Sequence, residues 1–516
     1  MTDARIILRN LTANWVGHGA NLVVMFFLSP FILHTLGVTE FGIWQLLTVL
    51  TGYMGILDLG VRAGTGRYII LYLGQDDLKK VDETIRTGLG LYTVMSSLIL
   101  LAGVILGLVF PMVFPTVPVE YHTTVTVLLP VLAVNIWISA LRTILSSLLA
   151  AYDRFDLAQG SDLIMLAVRT IGTIAALKLD TGLVGLTVAI ISCNLVGLGV
   201  NLMLSRRIHN SLKLWPLILK KERIKELYNY GIGAFIIAVS AKIIGQTDLI
   251  LVGNLISIDA VAVYSVGAML IYYSDTFVKQ IKGTFFPSLQ RAVTRGKFGE
   301  VRWLLHRMMR LMLILGILMY VGYIFLGKSF ISLWMFDPKS FPLTSVTTAA
   351  KVMAILSCAK LLLNLGQFSR SLLEATGHIG FAAKMTVVEA VINLILSISF
   401  VVVLDWGMLG IAAGTLGSHL LIQTVILPSY ACRKVGLNWG KILLTTGSRG
   451  LLVGGLFAMV CYFLQHFFLT PTWIAFFIQV TICIICYIPI VLLLLFSPDD
   501  RNRLLKKANG IKKAFN

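Results

Sequence analysis

The feature that most constrains this chain is the recurrence of apolar runs about 20 residues long, the length of helix that crosses roughly 30 Å of hydrocarbon. Fourteen such runs can be marked, at 12–35, 41–61, 88–113, 124–150, 161–179, 183–204, 231–255, 260–282, 311–327, 349–373, 381–403, 408–428, 444–466 and 473–496. Lipid is then the solvent, and helices that satisfy their own backbone groups are the way across it. With 57% hydrophobic and 13% charged residues, the expected fold is an all-α polytopic membrane protein of about 14 transmembrane helices. The first run lacks a small-residue cleavage site and is read as a span, not a removable signal.

Lysine and arginine test this ladder because they accumulate in cytoplasmic connectors. With the N-terminus inside, 35 of the 43 fall on the inner side, and four, Lys178, Lys328, Lys339 and Lys351, fall in outer connectors. Both termini are therefore expected in the cytoplasm. The net charge of +19 is spread over short connectors without interleaved aromatics, so anionic membrane lipid is the expected partner and nucleic acid is not. The basic connectors 205–230 and 288–310 read as solvated topology signals or amphipathic surface helices. The six cysteines suggest neither a disulfide framework nor a zinc site. Outer connectors too short for a folded domain argue against an enzyme.

An internal duplication is visible. Asp180-Thr-Gly182-Leu-Val-Gly185 returns as Asp405-Trp-Gly407-Met-Leu-Gly410, Ser147-Leu-Leu as Ser371-Leu-Leu, and the acid-base pair Asp58/Arg62 as Asp275/Lys279. These place spans 1–6 over spans 7–12 as parallel repeats, with a substrate route between them. The expected organisation is an N-lobe at 1–215, a C-lobe at 216–430, accessory spans 13 and 14 at 431–496, and a basic cytoplasmic tail at 497–516.

Four bases, Arg142, Arg169, Lys242 and Lys360, lie deep inside apolar runs, where an isolated charge costs about 2.5–3.5 kcal/mol. Two fall in each half, and together they suit a cavity that attracts an anion; internal pairing with acids such as Asp248 or Glu389 is the plainer alternative. Asp248 and Glu389 are also the candidates for ion coupling. Asp58/Arg62 and Asp275/Lys279, at helical spacing, read as local ion pairs or as an inner gate. His18, His34 and His419 are possible proton groups, although buried, bonded histidines are commoner. Gly60/Gly64, Gly103/Gly107, Gly410/Gly414 and Gly450/Gly454 would allow close helix contacts. Gly322-Tyr-Ile-Phe-Leu-Gly327-Lys328-Ser329 fits the phosphate-loop pattern but has no strand before it, so no nucleotide is expected.

Asn14-Trp15, Pro30-Phe31, Leu36-Gly37, Phe41-Gly42-Ile43-Trp44, Gly52-Tyr53, Leu57-Asp58-Leu59-Gly60 and Arg67-Tyr68 resemble the N-terminal signature of the polysaccharide transporter branch of the multidrug/oligosaccharidyl-lipid/polysaccharide exporter superfamily. The resemblance implies a V-shaped exporter of the bacterial inner membrane working by alternating access. It also implies an O-antigen-type flippase that carries an undecaprenyl-diphosphate-linked oligosaccharide outward, without a cofactor, alongside polysaccharide polymerase machinery. In such proteins a cationic cavity meets the diphosphate, and Arg142, Arg169, Lys242 and Lys360 are the matching candidates by depth. The alternatives are an ion-coupled multidrug or small-molecule exporter, whose usual span 1 acid is missing here, and a lipid II flippase, whose expected span 1 arginine is missing.

Overall fold

The computed structural model describes residues 4–496 apart from 59, 211, 213 and 469. Helices follow one another as α1 (Ala4–Met54), α2 (Val61–Leu73), α3 (Leu78–Val113), α4 (His122–Ala151), α5 (Phe155–Lys178), α6 (Gly182–Ile208), α7 (Lys221–Leu255), α8 (Ile258–Thr294), α9 (Phe298–Gly316), α10 (Gly322–Met335), α11 (Leu343–Ala375), α12 (Ile379–Val402), α13 (Gly407–His419), α14 (Leu427–Lys434), α15 (Trp439–Ile442), α16 (Ser448–Phe467) and α17 (Trp473–Leu494). Short π-helical segments join α9 to α10 (Ile317–Val321), α13 to α14 (Leu420–Ile426) and α15 to α16 (Leu443–Gly447), so each pair runs on as one rod. Among the described residues, 11 helices or rods are long and apolar enough to cross a membrane. The protein is thus a multi-pass, helical membrane protein. The expected spans 231–255 and 260–282 fall on α7 and α8, where many side chains lie outside the described residues.

The chain divides into two compact units, Met1–Ala262 and Val263–Asn516, with the division inside α8. In the first unit, the turn expected at 36–40 shrinks to Gly37, whose φ of 78° and ψ of 173° interrupt an otherwise continuous α1. Glycine takes this conformation without a Cβ clash. Just beyond, Thr39 Oγ1 donates to Asp259 Oδ1 at 2.8 Å, and Gly42 lies so close to the Ile258 carbonyl that an added Cβ would sit 2.2 Å from its oxygen.

Asp58 and Arg62 do not share one continuous helix. A 3₁₀ turn at Gly55–Asp58 and a left-handed Gly60 (φ 78°) separate them before α2 begins. The connector 205–230 also differs from both of its expected forms. Its first residues finish α6, and α7 starts at Lys221. Between them Leu212, Leu214 and Leu217 pack onto a core of Ile69, Tyr72, Ile85 and Leu148. The connector 288–310 is instead the end of α8 and the start of α9. The tail 497–516 lies outside the described residues.

The duplicated motif has a backbone counterpart. Asp180 and Asp405 both have positive φ, 53° and 54°, as do Gly182 and Gly407, 52° and 54°. The same left-handed turn therefore leads from α5 to α6 and from α12 to α13. Small residues then let neighbouring helices close up. Cβ atoms added at Gly103 and Gly107 of α3 would lie 3.1 and 2.7 Å from the carbonyl oxygens of Leu129 and Thr126 on α4, and one at Gly414 of α13 would lie 2.6 Å from the Ser397 nitrogen on α12. Gly454 of α16, by contrast, faces open space. Gly414→Val is expected to destabilise the protein by ~1–3 kcal/mol through overpacking against backbone, read as a lower melting temperature in detergent, whereas Gly454→Val should leave melting unchanged.

Candidate functional site

Within the first unit, α7 brings Lys242 against the C-terminal part of α1. Its Nζ donates to Gln246 Oε1, one helical turn on, at 3.0 Å. Tyr53 of α1 holds the same turn, its hydroxyl 2.6 Å from Thr247 Oγ1 and 3.3 Å from the Lys242 carbonyl oxygen. Asp248, the next residue, is buried. Gly52 makes room for the ammonium, since a Cβ there would lie 2.7 Å from Lys242 Nζ and 2.9 Å from Gln246 Oε1. Lys242 is thus half-buried and held by a neutral amide, and among the described residues no carboxylate pairs with it. A cation kept at depth by a neutral partner retains most of its attraction for an incoming anion.

Arg142 of α4 is placed differently. Its Nη1 donates to Asp162 Oδ1 of α5 at 2.8 Å, and its Cδ lies against Gly197 of α6, where an added Cβ would approach to 2.9 Å. The same three helices are cross-bonded by Asn194 Nδ2 to Asn135 Oδ1 and by Asn201 Nδ2 to Ser161 Oγ, both at 3.0 Å. Arg169 lies half-buried on α5.

In the second unit, Lys360 of α11 and Asp275 of α8 form a 2.7 Å ion pair. The expected local partner of Asp275, Lys279, has a side chain outside the described residues, as has Asp58. Glu389 of α12 is fully buried, 3.1 Å from Arg370 Nη2 of α11 and 3.0 Å from His419 Nδ1 of α13. Both its oxygens also accept from Gln423 Nε2, at 2.9 and 2.7 Å. Arg370, Gln423 and Gln246 are members of these clusters that the sequence reading did not single out. Arg370 sits near the end of its apolar run and resembles an ordinary boundary residue, and nothing in spacing pairs it with Glu389. A separate cavity of about 300 Å³, almost wholly apolar, is lined by Leu270, Leu318, Tyr323, Phe330, Phe457 and Phe476.

Other singled-out positions have plain structural places. Gly322–Ser329, the phosphate-loop look-alike, is helical throughout α10, so its amides do not form a phosphate cradle. Cys461 and Cys483 are free thiols with sulfurs 3.9 Å apart. For the Lys360–Asp275 pair, a double-mutant cycle with Lys360→Ala and Asp275→Ala should give a coupling of ~0.5–3 kcal/mol by thermal melting, with either single change costing more than the pair removed together.

The sequence model of MurJ, the lipid II flippase, matches residues 72–483. No curated protein matches the sequence. Among solved structures, an inward-facing multidrug resistance MATE family transporter of the MOP superfamily aligns with a TM-score of 0.69 and 12% identity over 80% of this chain and 94% of that one. The lipid II flippase MurJ in an inward closed conformation aligns with a TM-score of 0.65 and 16% identity over 94% and 97%. A MOP superfamily transporter from Pyrococcus furiosus, described as having a binding pocket of reverse polarity, aligns with a TM-score of 0.55 and 13% identity over 81% and 94%. At these identities the structural likeness is one of fold. Two of these solved proteins are described as members of the superfamily that the N-terminal signature suggested, whereas the matched family model is not one of polysaccharide transporters, and the signature residues 14–68 lie ahead of the matched segment. The family match covers most of the chain, which therefore belongs to the lipid II flippase MurJ family, a family of transporters.

Proposed function

We propose that the protein is a flippase for a polyprenyl-diphosphate-linked saccharide in a bacterial inner membrane, and that lipid II is the substrate. The match over residues 72–483 carries this reading. The placement of Lys242 supports it, because a half-buried ammonium held only by a carboxamide suits a diphosphate. In this reading Lys242 and Arg169 meet the head group, while Arg142 and Lys360, joined to Asp162 and Asp275, line the route and exchange partners as it passes. Asp58/Arg62 and Asp275/Lys279 remain gate candidates, and Asp248 and Glu389 coupling candidates. The apolar cavity of the second unit has the chemistry of an isoprenoid chain's surroundings.

The architecture proposed with it has 14 spans, two parallel six-span lobes at 1–215 and 216–430, accessory spans at 431–496, and both termini in the cytoplasm. The matching left-handed turns at Asp180 and Asp405 support the repeat. Alternating access would re-expose the saccharide outside. An inside-negative potential favours outward movement of an anion by ~2.3 kcal/mol per charge per 100 mV.

A second reading has one specific observation in its favour. The residues from Asn14 to Tyr68 resemble polysaccharide transporters, and span 1 lacks the arginine expected of lipid II flippases. That substrate would be an undecaprenyl-diphosphate-linked oligosaccharide such as an O-antigen precursor, and the partner a polysaccharide polymerase. Proteoliposomes loaded with fluorescent lipid II, fluorescent undecaprenyl-diphosphate oligosaccharide or a cationic dye separate the possibilities. Lipid II is expected to move, and Lys242→Ala to slow it at least about tenfold, the loss of one charge-assisted contact of ~1.5–3 kcal/mol. Movement of the oligosaccharide lipid alone would install the second reading, and movement of the dye alone would replace both with a small-molecule exporter.

A further inference from the structure

Glu389 is a full carboxylate site in a dry place. Oε2 accepts from Arg370 Nη2 at 3.1 Å and Gln423 Nε2 at 2.7 Å; Oε1 accepts from Gln423 Nε2 at 2.9 Å and lies 3.0 Å from His419 Nδ1. Glu389 is 0% exposed and His419 is 2% exposed. The charges around the cluster come from each element packed on α12. Arg370 faces it from α11 and His419 from α13, with the neutral Gln423 between α13 and α14. The next charges along the same helices are Lys384 on α12 and Glu374 on α11, and Glu374 is already bound to Lys282 at 3.0 Å.

With the carboxylate ionised, the guanidinium charged and the imidazole neutral, the cluster has no net charge, the arrangement a low-dielectric interior tolerates. One contact in it is nevertheless not made. His419 Nδ1 lies at bonding distance from Oε1 but makes no properly directed hydrogen bond. A small turn of the imidazole would let Nδ1 donate to Oε1, and one further proton on the imidazole–carboxylate pair would bring the cluster to +1. The proton belongs to the pair and to neither residue alone. A metal cation would find the carboxylate already occupied by a guanidinium, whose charge repels it; a proton has no such conflict.

The cluster is also tied to a deformable stretch of backbone. His419 is the last residue of α13, and Gln423 lies inside the π segment Leu420–Ile426. That segment is pressed by Gly366 of α11, where a Cβ would lie 2.5 Å from the Gln423 carbonyl oxygen, and is held by Trp439, whose Nε1 donates to the Thr424 carbonyl at 2.8 Å. Short π segments inside α-helices are frequent at functional sites, where they break the regular α-helical hydrogen-bond pattern. We propose that Glu389 and His419, supported by Arg370 and Gln423, form a proton-binding site, and that uptake and release of one proton there is coupled to rearrangement of residues 420–426. The buried +1 state favours a conformation that admits water, so proton occupancy selects between conformers. In transport terms this supplies the coupling step of the proposed flippase and rests on that reading; the proton site itself does not.

Amide exchange over residues 420–426, measured in nanodiscs from about pH 5.5 to 8 and corrected for intrinsic rates, tests the site without any substrate. Wild type should show a one-proton transition, changing by up to about tenfold per pH unit. His419→Gln and Glu389→Gln should each abolish it, and His419→Gln, close to histidine in size, decides the matter alone if the glutamate variant does not fold. A flat wild-type profile, or a transition that survives in His419→Gln, overturns the proposal. In proteoliposomes, an imposed pH gradient should change lipid II flipping in wild type and leave it unchanged in His419→Gln. If wild type flips no lipid II while the exchange transition is present, the substrate reading fails and the proton site stands.

Discussion

A charge inside hydrocarbon must find a counterpart, and the helices of this protein are arranged around the few that do. At insertion costs of about 2.5–3.5 kcal/mol each, deep lysines and arginines are retained only where something offsets them. Arg142 has Asp162, Lys360 has Asp275 and Arg370 has Glu389, each pair joining two helices. Such ties fix which faces meet, because breaking one leaves a charge uncompensated. Among the described residues Lys242 differs from these three, with a carboxamide where they have a carboxylate.

Glycine is the second half of the same arrangement. Gly52 leaves space for the Lys242 ammonium, Gly197 for the stem of Arg142, and Gly366 for Gln423 beside Glu389. In each case the missing Cβ is what permits a polar side chain on one helix to lie flat against its neighbour. Helices in lipid gain little from apolar burial against one another, so close approach and internal hydrogen bonds must hold them together. The side-chain bonds among α4, α5 and α6, from Asn135 to Asn194 and from Ser161 to Asn201, follow the same logic without any charge.

What the sequence made legible was whatever depends on local composition. Runs of apolar residues gave the helices, and the Asp-x-Gly steps at 180–182 and 405–407 gave the two left-handed turns, since both residue types tolerate positive φ. Pairings across helices were not legible. Arg370 and Glu389 are 19 residues apart and Lys360 and Asp275 are 85 apart, and no period connects them. The four-residue spacing of Asp58 and Arg62 does not make one helix, because Gly60, between them, ends one helical turn before the next begins. The branch is not settled by the same residues: the motif that suggested polysaccharide transporters occupies residues 14–68, whereas the family match rests on residues 72–483.

Among the described residues, all three π segments belong to the second unit. A π turn holds one more residue than the α-helical turn around it, so it can migrate or resolve without breaking the rod. Near Ile317–Val321, Tyr487 of α17 donates to the Ile314 carbonyl at 2.7 Å, which ties that helix to the approach of one such turn. Leu420–Ile426 carries Gln423 into the Glu389 cluster, so a shift there moves a hydrogen-bond donor away from a buried carboxylate. The rigid ion pairs and the movable turns are thus neighbours in this unit. A change in the charge of one cluster has a backbone element ready to respond, whereas the polar ties among α4, α5 and α6 of the first unit join helices without such a segment.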